Sequence, residues 1–248
     1  MLELKKVGFN YYSKNGETVA LKDISFKVAD GELISIVGPS GCGKTTILSL
    51  ISGLLEPSTG EVLINSSEEN FNAGYMFQKD HLFDWRTIKN NVLLGLEINK
   101  TKTEENINYA LGLLEKYGLK DFINKYPSEL SGGMRQRVAL IRTLTLKPQV
   151  LLLDEPFSAL DFQTRLNLCD DVYNILKTEK KTAILVTHDI SEAISMSDRV
   201  IVLSNRPSTV KNIHTINLKN STPLQRREEA NFQKYFDEIW KELCDEKK

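Results

Sequence analysis

Leu33-Ile34-Ser35-Ile36-Val37-Gly38-Pro39-Ser40-Gly41-Cys42-Gly43-Lys44-Thr45-Thr46 decides the fold of this 248-residue chain. The first five residues are a short β-rich run that ends in a glycine loop. A helix is expected from Lys44 through Leu48 and Leu50, closed at Gly53, where glycine can turn the chain out of the helical path. A triphosphate carries dense negative charge, and backbone N–H groups turned inward at the positive end of a helix hold it without bulky side chains. Gly38, Gly41 and Gly43 permit that tight wrap, with Pro39, Ser40 and Cys42 between them. Lys44 is expected to reach the β and γ phosphates, the Thr45 hydroxyl to ligate Mg²⁺, and Thr46 to help hold the phosphates.

Outward from this loop, residues 150–153 and 183–186 are uninterrupted apolar runs, each followed by polar residues, as in buried parallel strands. Strand, loop and helix alternate, which predicts an α/β sheet. In Leu151-Leu152-Leu153-Asp154-Glu155-Pro156 the carboxylate of Asp154 ends an apolar strand. It can face Mg²⁺, directly or through water, without a whole charged segment being buried. Residues 2–9 and 24–28 alternate apolar and polar, as half-exposed strands do, with residues 14–17 as a polar turn. Between about residues 79 and 130 the pattern turns helical, with Ile107, Ala110, Leu111 and Leu114 at three- and four-residue spacing, so an inserted helical subdomain is expected. After Pro223, the stripe Phe232, Tyr235, Phe236, Ile239, Trp240 and Leu243 predicts a helix packed on the chain's own body.

Leu130-Ser131-Gly132-Gly133-Met134-Arg135-Gln136-Arg137 adds a second anion-binding signature: a hydroxyl and two glycines at the start of a helix. With this stretch between the glycine loop and the acidic strand end, the chain resembles the ATP-binding cassette of ABC transporters across residues 2–207. The resemblance implies a P-loop NTPase core with a parallel sheet, an antiparallel β subdomain and a helical subdomain inserted at about residues 79–135. The nucleotide-binding unit would span residues 1–215 and a helical tail residues 216–248. It also implies a head-to-tail pair of chains, in which Ser131, Gly132 and Gly133 of one subunit close over ATP held by Lys44 of the other.

The same resemblance assigns Glu155 as the general base, Gln78 as the amide that contacts Mg²⁺ or the water and senses the transmembrane partner, and His188 as the hydrogen-bond partner of the γ phosphate. Ser158 and Asp161 become dimer contacts; a helix N-cap is the alternative reading of either and is compatible with that role. Tyr11, in preference to Tyr12, would stack on adenine, unless it is a core aromatic. His81 and His214 read as exposed polar residues.

Phe77-Gln78-Lys79-Asp80-His81-Leu82-Phe83-Asp84-Trp85-Arg86-Thr87-Ile88, together with Ser197–Pro207, is similar to cassettes of nitrate, sulfonate and taurine importers, which read proline where this chain has Asp84. Trp85 either lines a groove for a membrane subunit or packs inside the helical subdomain. A net charge of -1 gives no global field toward nucleic acid. Three widely spaced cysteines argue against a disulfide framework or a zinc cluster. No apolar run approaches the roughly 20 residues that span a bilayer, so in any membrane process other polypeptides would do the spanning. The resemblance implies that these are separate permease subunits, with an extracytoplasmic solute-binding protein, and that this chain sits on the cytoplasmic face of the membrane. An exporter ATPase and a soluble ABC-type ATPase are the alternatives.

Overall fold

The computed structural model describes residues 2–13, 16–64, 71–158, 160–219 and 222–244. In chain order its strands are β1 (Leu2–Ser13), β2 (Gly16–Val28), β3 (Leu33–Val37), β4 (Thr59–Ile64), β5 (Ala73–Met76), β6 (Val150–Asp154), β7 (Thr182–Val186), β8 (Arg199–Leu203) and β9 (Val210–Thr215). Its helices are α1 (Lys44–Ile51), α2 (Ile88–Val92), α3 (Leu94–Ile98), α4 (Glu104–Lys116), α5 (Gly132–Leu144), α6 (Phe162–Thr178), α7 (Ile190–Met196), α8 (Pro223–Arg226) and α9 (Ala230–Cys244).

The three apolar runs become neighbours in a six-stranded sheet of order β5-β6-β7-β3-β8-β9, parallel except for β9. Because side chains alternate across a strand, this sheet buries two faces at once. Ile34, Ile36, Leu152, Ile184 and Val186 face a core shared with α1 and the antiparallel sheet β2-β1-β4. Leu33, Leu151, Leu153, Ala183 and Leu185 face the core built by α4, α5 and α6. Each fully buried leucine, isoleucine or valine among them stabilises the fold by about 1.5–3 kcal/mol, which is why residues 150–153 and 183–186 read as unbroken apolar runs and β3 is interrupted only by the buried Ser35.

The parallel register sets the site. Ile36 and Asp154 are both paired with Val186, so the carboxyl ends of β3, β6 and β7 finish in one row. Their following loops therefore open at the same sheet edge, the place where open α/β sheets bind ligands. The α4 positions Ala110 and Leu114 are buried in the helical insertion, as the spacing predicts. In the tail, Phe232 and Ile239 of α9 pack on Val37, Val200 and Val202, with Tyr235, Phe236 and Leu243 half-buried around them; Trp240 departs from the stripe and is 56% exposed.

His214 corrects its reading as an exposed residue. Its imidazole lies half-buried between β9 and α9, with Nε2 3.1 Å from a Glu242 carboxylate oxygen and Nδ1 3.9 Å from Glu238. Lys14 and Asn15 of the expected turn, Ala159 beside Ser158, and residues 220–221 and 245–248 of the tail lie outside the described residues.

Candidate functional site

The glycine loop takes the conformations its composition allows. Gly41 and Gly43 have φ of 75° and 106°, a region that disfavours side chains, and a Cβ built on Gly43 would stand 2.7 Å from Leu21 of β2. Gly43 is also the N-cap of α1. Lys44 is 8% exposed, and its ammonium donates to the carbonyls of Gly38 and Pro39 at 2.9 and 3.1 Å. Cys42 is buried beneath the loop, and burial pushes its thiol pKa up. Pro39 and Cys42 therefore shape the loop, while Ser40, Gly41, Gly43, Lys44, Thr45 and Thr46 line an open cleft of about 720 Å³ with Tyr11, Glu155 and His188. Tyr11 is 44% exposed, which removes its core-aromatic alternative, and its hydroxyl is 2.9 Å from that of Thr46.

At the acidic strand end, Asp154 is held at both oxygens. The Thr45 hydroxyl donates to Oδ1 at 3.2 Å and the Tyr75 phenol donates to Oδ2 at 3.1 Å. Burial pushes the Asp154 carboxyl up from its ordinary value, while those two hydrogen bonds pull it down. Burial and then the neighbouring carboxylate push the Tyr75 phenol well above its ordinary range. A buried carboxylate next to a hydroxyl is a hard-oxygen donor set of the kind that fits Mg²⁺, which takes one or two carboxylates and completes its shell with phosphate and water. Glu155 follows with φ of 46°, its backbone N–H donating to Val186 at 2.8 Å, and its Oε2 lies 3.2 Å from Nδ1 of His188. The acid and the histidine thus share the mouth of the cleft.

Gln78 donates to the Ser158 hydroxyl at 3.0 Å, and Ser158 donates to the Glu155 carbonyl at 3.0 Å, so this amide touches the loop behind the acid rather than the cleft lining. Asp161 is the N-cap of α6, accepting from Thr164 N–H at 3.0 Å, a contact that holds its carboxyl below the ordinary value. Ser131 caps α5 by accepting from Met134 N–H at 3.3 Å. Gly132 lines a separate pocket with Asp80, His81, Arg135 and Leu160. The structure therefore gathers Tyr11, Ser40, Gly41, residues 43–46, Glu155 and His188, with Asp154 joined through Thr45, and leaves the Ser131-Gly132-Gly133 surface out of that cleft. A larger concavity on the antiparallel sheet holds charges that pair with each other, Lys5 with Glu61 and Lys27 with Glu3, and none of the residues above.

Residues 21–158 match the family described as ABC transporter. Over 247 residues, 98% of this chain and 95% of the relative, the sequence is 55% identical to the uncharacterised ABC transporter ATP-binding protein YtlC of Bacillus subtilis (strain 168). The chain belongs to the ABC transporter family. It is one of the ATP-binding subunits, for which ATP hydrolysis is the expected activity. This cassette is also 39% identical over 247 residues to the nitrate import ATP-binding protein NrtD of Synechocystis sp., covering 96% of this chain and 93% of that one. Among solved structures, the bacterial ABC transporter cassette MJ0796, described as dimeric, superposes with a TM-score of 0.73 at 32% identity over 88% of this chain and 99% of its own. A post-hydrolysis dimer of MJ0796 bound to ADP and Pi gives 0.72 at the same identity and coverage. The P-loop core, antiparallel sheet and helical insertion expected from the sequence are the architecture of these cassettes.

Three features of the cassette escaped the sequence reading. Arg206, from the turn after β8, lines the cleft and donates to the Gly41 carbonyl. Tyr75 holds Asp154. Asn91 is fully buried: its amide donates to the carbonyls of Phe83, Arg86 and Thr87 at 3.0–3.1 Å and accepts from Phe83 N–H at 2.7 Å. That knot ties the loop bearing Trp85, which is 75% exposed with its ring 4.8 Å from Phe83, so Trp85 does not pack inside the helical subdomain.

Proposed function

We propose that this cassette hydrolyses ATP at the cytoplasmic face of a membrane, as a peripheral subunit that energises import of a small solute of the nitrate, sulfonate or taurine class. Separate permease subunits span the bilayer and an extracytoplasmic binding protein delivers the solute. Residues 1–215 form the nucleotide-binding unit, the insertion at about 79–135 meets the permease, and residues 216–248 are a helical tail. The solute class is supported by the likeness to NrtD; no helix among the described residues is long and apolar enough to cross a membrane.

One observation carries the reading: two phosphate-binding helix starts, α1 and α5, belong to one chain but not to one cleft. Two copies packed head to tail would bring the α5 start of each onto the nucleotide of the other; the description of the MJ0796 cassette as dimeric supports pairing. Within each half, Tyr11 stacks on the base, the loop N–H groups and Lys44 bind the phosphates, and Thr46 assists. Thr45 and Asp154, with Gln78 nearby, would hold Mg²⁺, whose charge neutralises that on the β- and γ-phosphate oxygens. Glu155 takes the proton of the attacking water, and His188 both steadies Glu155 and donates to the γ phosphate. Ser158 and Asp161 face the second copy.

Mixing tests the sharing. Neither Lys44→Ala nor Ser131→Arg alone forms a competent homodimer. In their heterodimer both lesions fall at one site and the other is intact, so partial ATPase activity appears on mixing. No recovery at any ratio, with both chains folded and dimeric, argues for a site completed within one chain. Uptake of labelled nitrate, taurine and an alkanesulfonate by a deletion strain tests the solute class separately: parental rates for all three would remove that class and leave the ATPase untouched.

A further inference from the structure

We propose that Tyr75 is a positioning residue for the metal-binding carboxylate of Asp154, acting through its phenol oxygen. The inference rests on the reading of Thr45 and Asp154 as the Mg²⁺ pair. Each oxygen of that carboxylate is held by a different element: Oδ1 by Thr45 of α1 at 3.2 Å, and Oδ2 by Tyr75 of β5 at 3.1 Å. The terminal torsion of an aspartate is broad and roughly two-fold, so a carboxylate held at one oxygen can pivot about that contact. Held at both, it keeps one plane, and the oxygen turned toward Thr45 stays turned toward the phosphate side of the cleft.

The second hold comes from outside the nucleotide cleft, since β5 contributes none of the residues lining it. In the parallel register Tyr75 stands opposite Leu152, two residues short of Asp154. The length of a phenol covers that offset along the strand edge; a phenylalanine would fill the same space and reach nothing. The ring is fixed on its own account, half-buried against the core beneath α1 and stacked on Phe77 at 4.5 Å. The hydroxyl is therefore presented from a packed ring and also meets the Ser49 side chain of α1; removing it takes one partner from Asp154 and leaves the packing of the ring in place. Phe77 adjoins Gln78, so the β5 end that orients the carboxylate also carries the amide bonded to Ser158 behind Glu155.

Tyr75→Phe deletes one oxygen and keeps the ring. Binding of a fluorescent ATP analogue to the full chain is measured first in EDTA and then along a Mg²⁺ titration, with Mn²⁺ binding followed by electron paramagnetic resonance as a second readout. Partners that orient a metal ligand are typically worth about 10–100-fold in metal affinity. The expected result is wild-type nucleotide affinity in EDTA, with half-effect displaced upward in Mg²⁺ by about tenfold or more and a matching loss of Mn²⁺ affinity. Tyr75→Leu, which loses ring and hydroxyl together, should show the same displacement. A Tyr75→Phe chain with wild-type metal dependence overturns the inference, and so does a displacement seen only in Tyr75→Leu. A wild-type chain whose nucleotide binding ignores Mg²⁺ would instead overturn the metal pair on which the inference stands.

Discussion

Helices α1 and α5 begin alike, with glycine and a hydroxyl at a positive helix end, and their surroundings differ. At α1 the neighbours converge: Thr45 is bonded to Asp154, Thr46 to Tyr11, Lys44 folds over the loop, and Glu155 and His188 stand across the cleft. At α5, Ser131 is exposed and spends its hydroxyl on capping its own helix, while Gly132 and Gly133 lie close to Leu160 and Thr164. A helix start thus supplies partial positive charge and little else. At α1 the helix's own Lys44 shares a cleft with Glu155 from the end of β6, and neither of them lines the pocket around Gly132; on the proposed reading α5 would borrow those groups from a second copy.

The contrast is sharpest in chemistry. Glu155→Gln, on the α1 side, should cut steady-state phosphate release by about 10²–10⁴-fold while preserving ATP binding, because the amide keeps the shape and cannot accept a proton. Near-wild-type turnover would take the base role from Glu155. Next in size, Lys44→Ala should weaken ATP binding to the isolated chain on the order of 10²-fold, the scale of removing one buried charged partner. Ser131→Ala should leave that affinity within about twofold; equal losses measured by calorimetry would erase the distinction between the two helix starts.

Stability offers a finer comparison. Gly43→Ala forces a side chain into a left-handed backbone and against Leu21, an expected cost of about 1–3 kcal/mol in urea unfolding. Ser131→Ala removes only a cap and should cost about 0.5–2 kcal/mol, near the lower end because the serine is exposed. A Ser131→Ala loss larger than that of Gly43→Ala would mean that the α5 start is buttressed by more than its own cap.

The legible parts were those written contiguously. Residues 33–46 and 151–156 each contain a strand and the polar group at its end, so their local order already fixes where Lys44, Asp154 and Glu155 go. What stayed hidden arrives from far along the chain: Tyr75 lies 79 positions from Asp154, and Arg206 lies 165 from Gly41. His214 misled for the same reason, because the helix that encloses it brings Glu242 from 28 positions away. Trp85 could not be placed from periodicity, since its segment has none; its exposure follows from how a buried amide folds the loop around itself.

That amide has a mechanical consequence. Asn91 closes the turn before α2 with hydrogen bonds made entirely inside the subdomain, so the loop under Trp85 takes its shape at folding rather than on contact. Ordering a side chain at an interface commonly costs about 0.5–1.5 kcal/mol, and a surface that is ordered beforehand avoids most of it. Trp85 is thereby mounted on a loop tied to α2, whose Ile88 and Val92 sit in the same core as Met76, one residue from Tyr75.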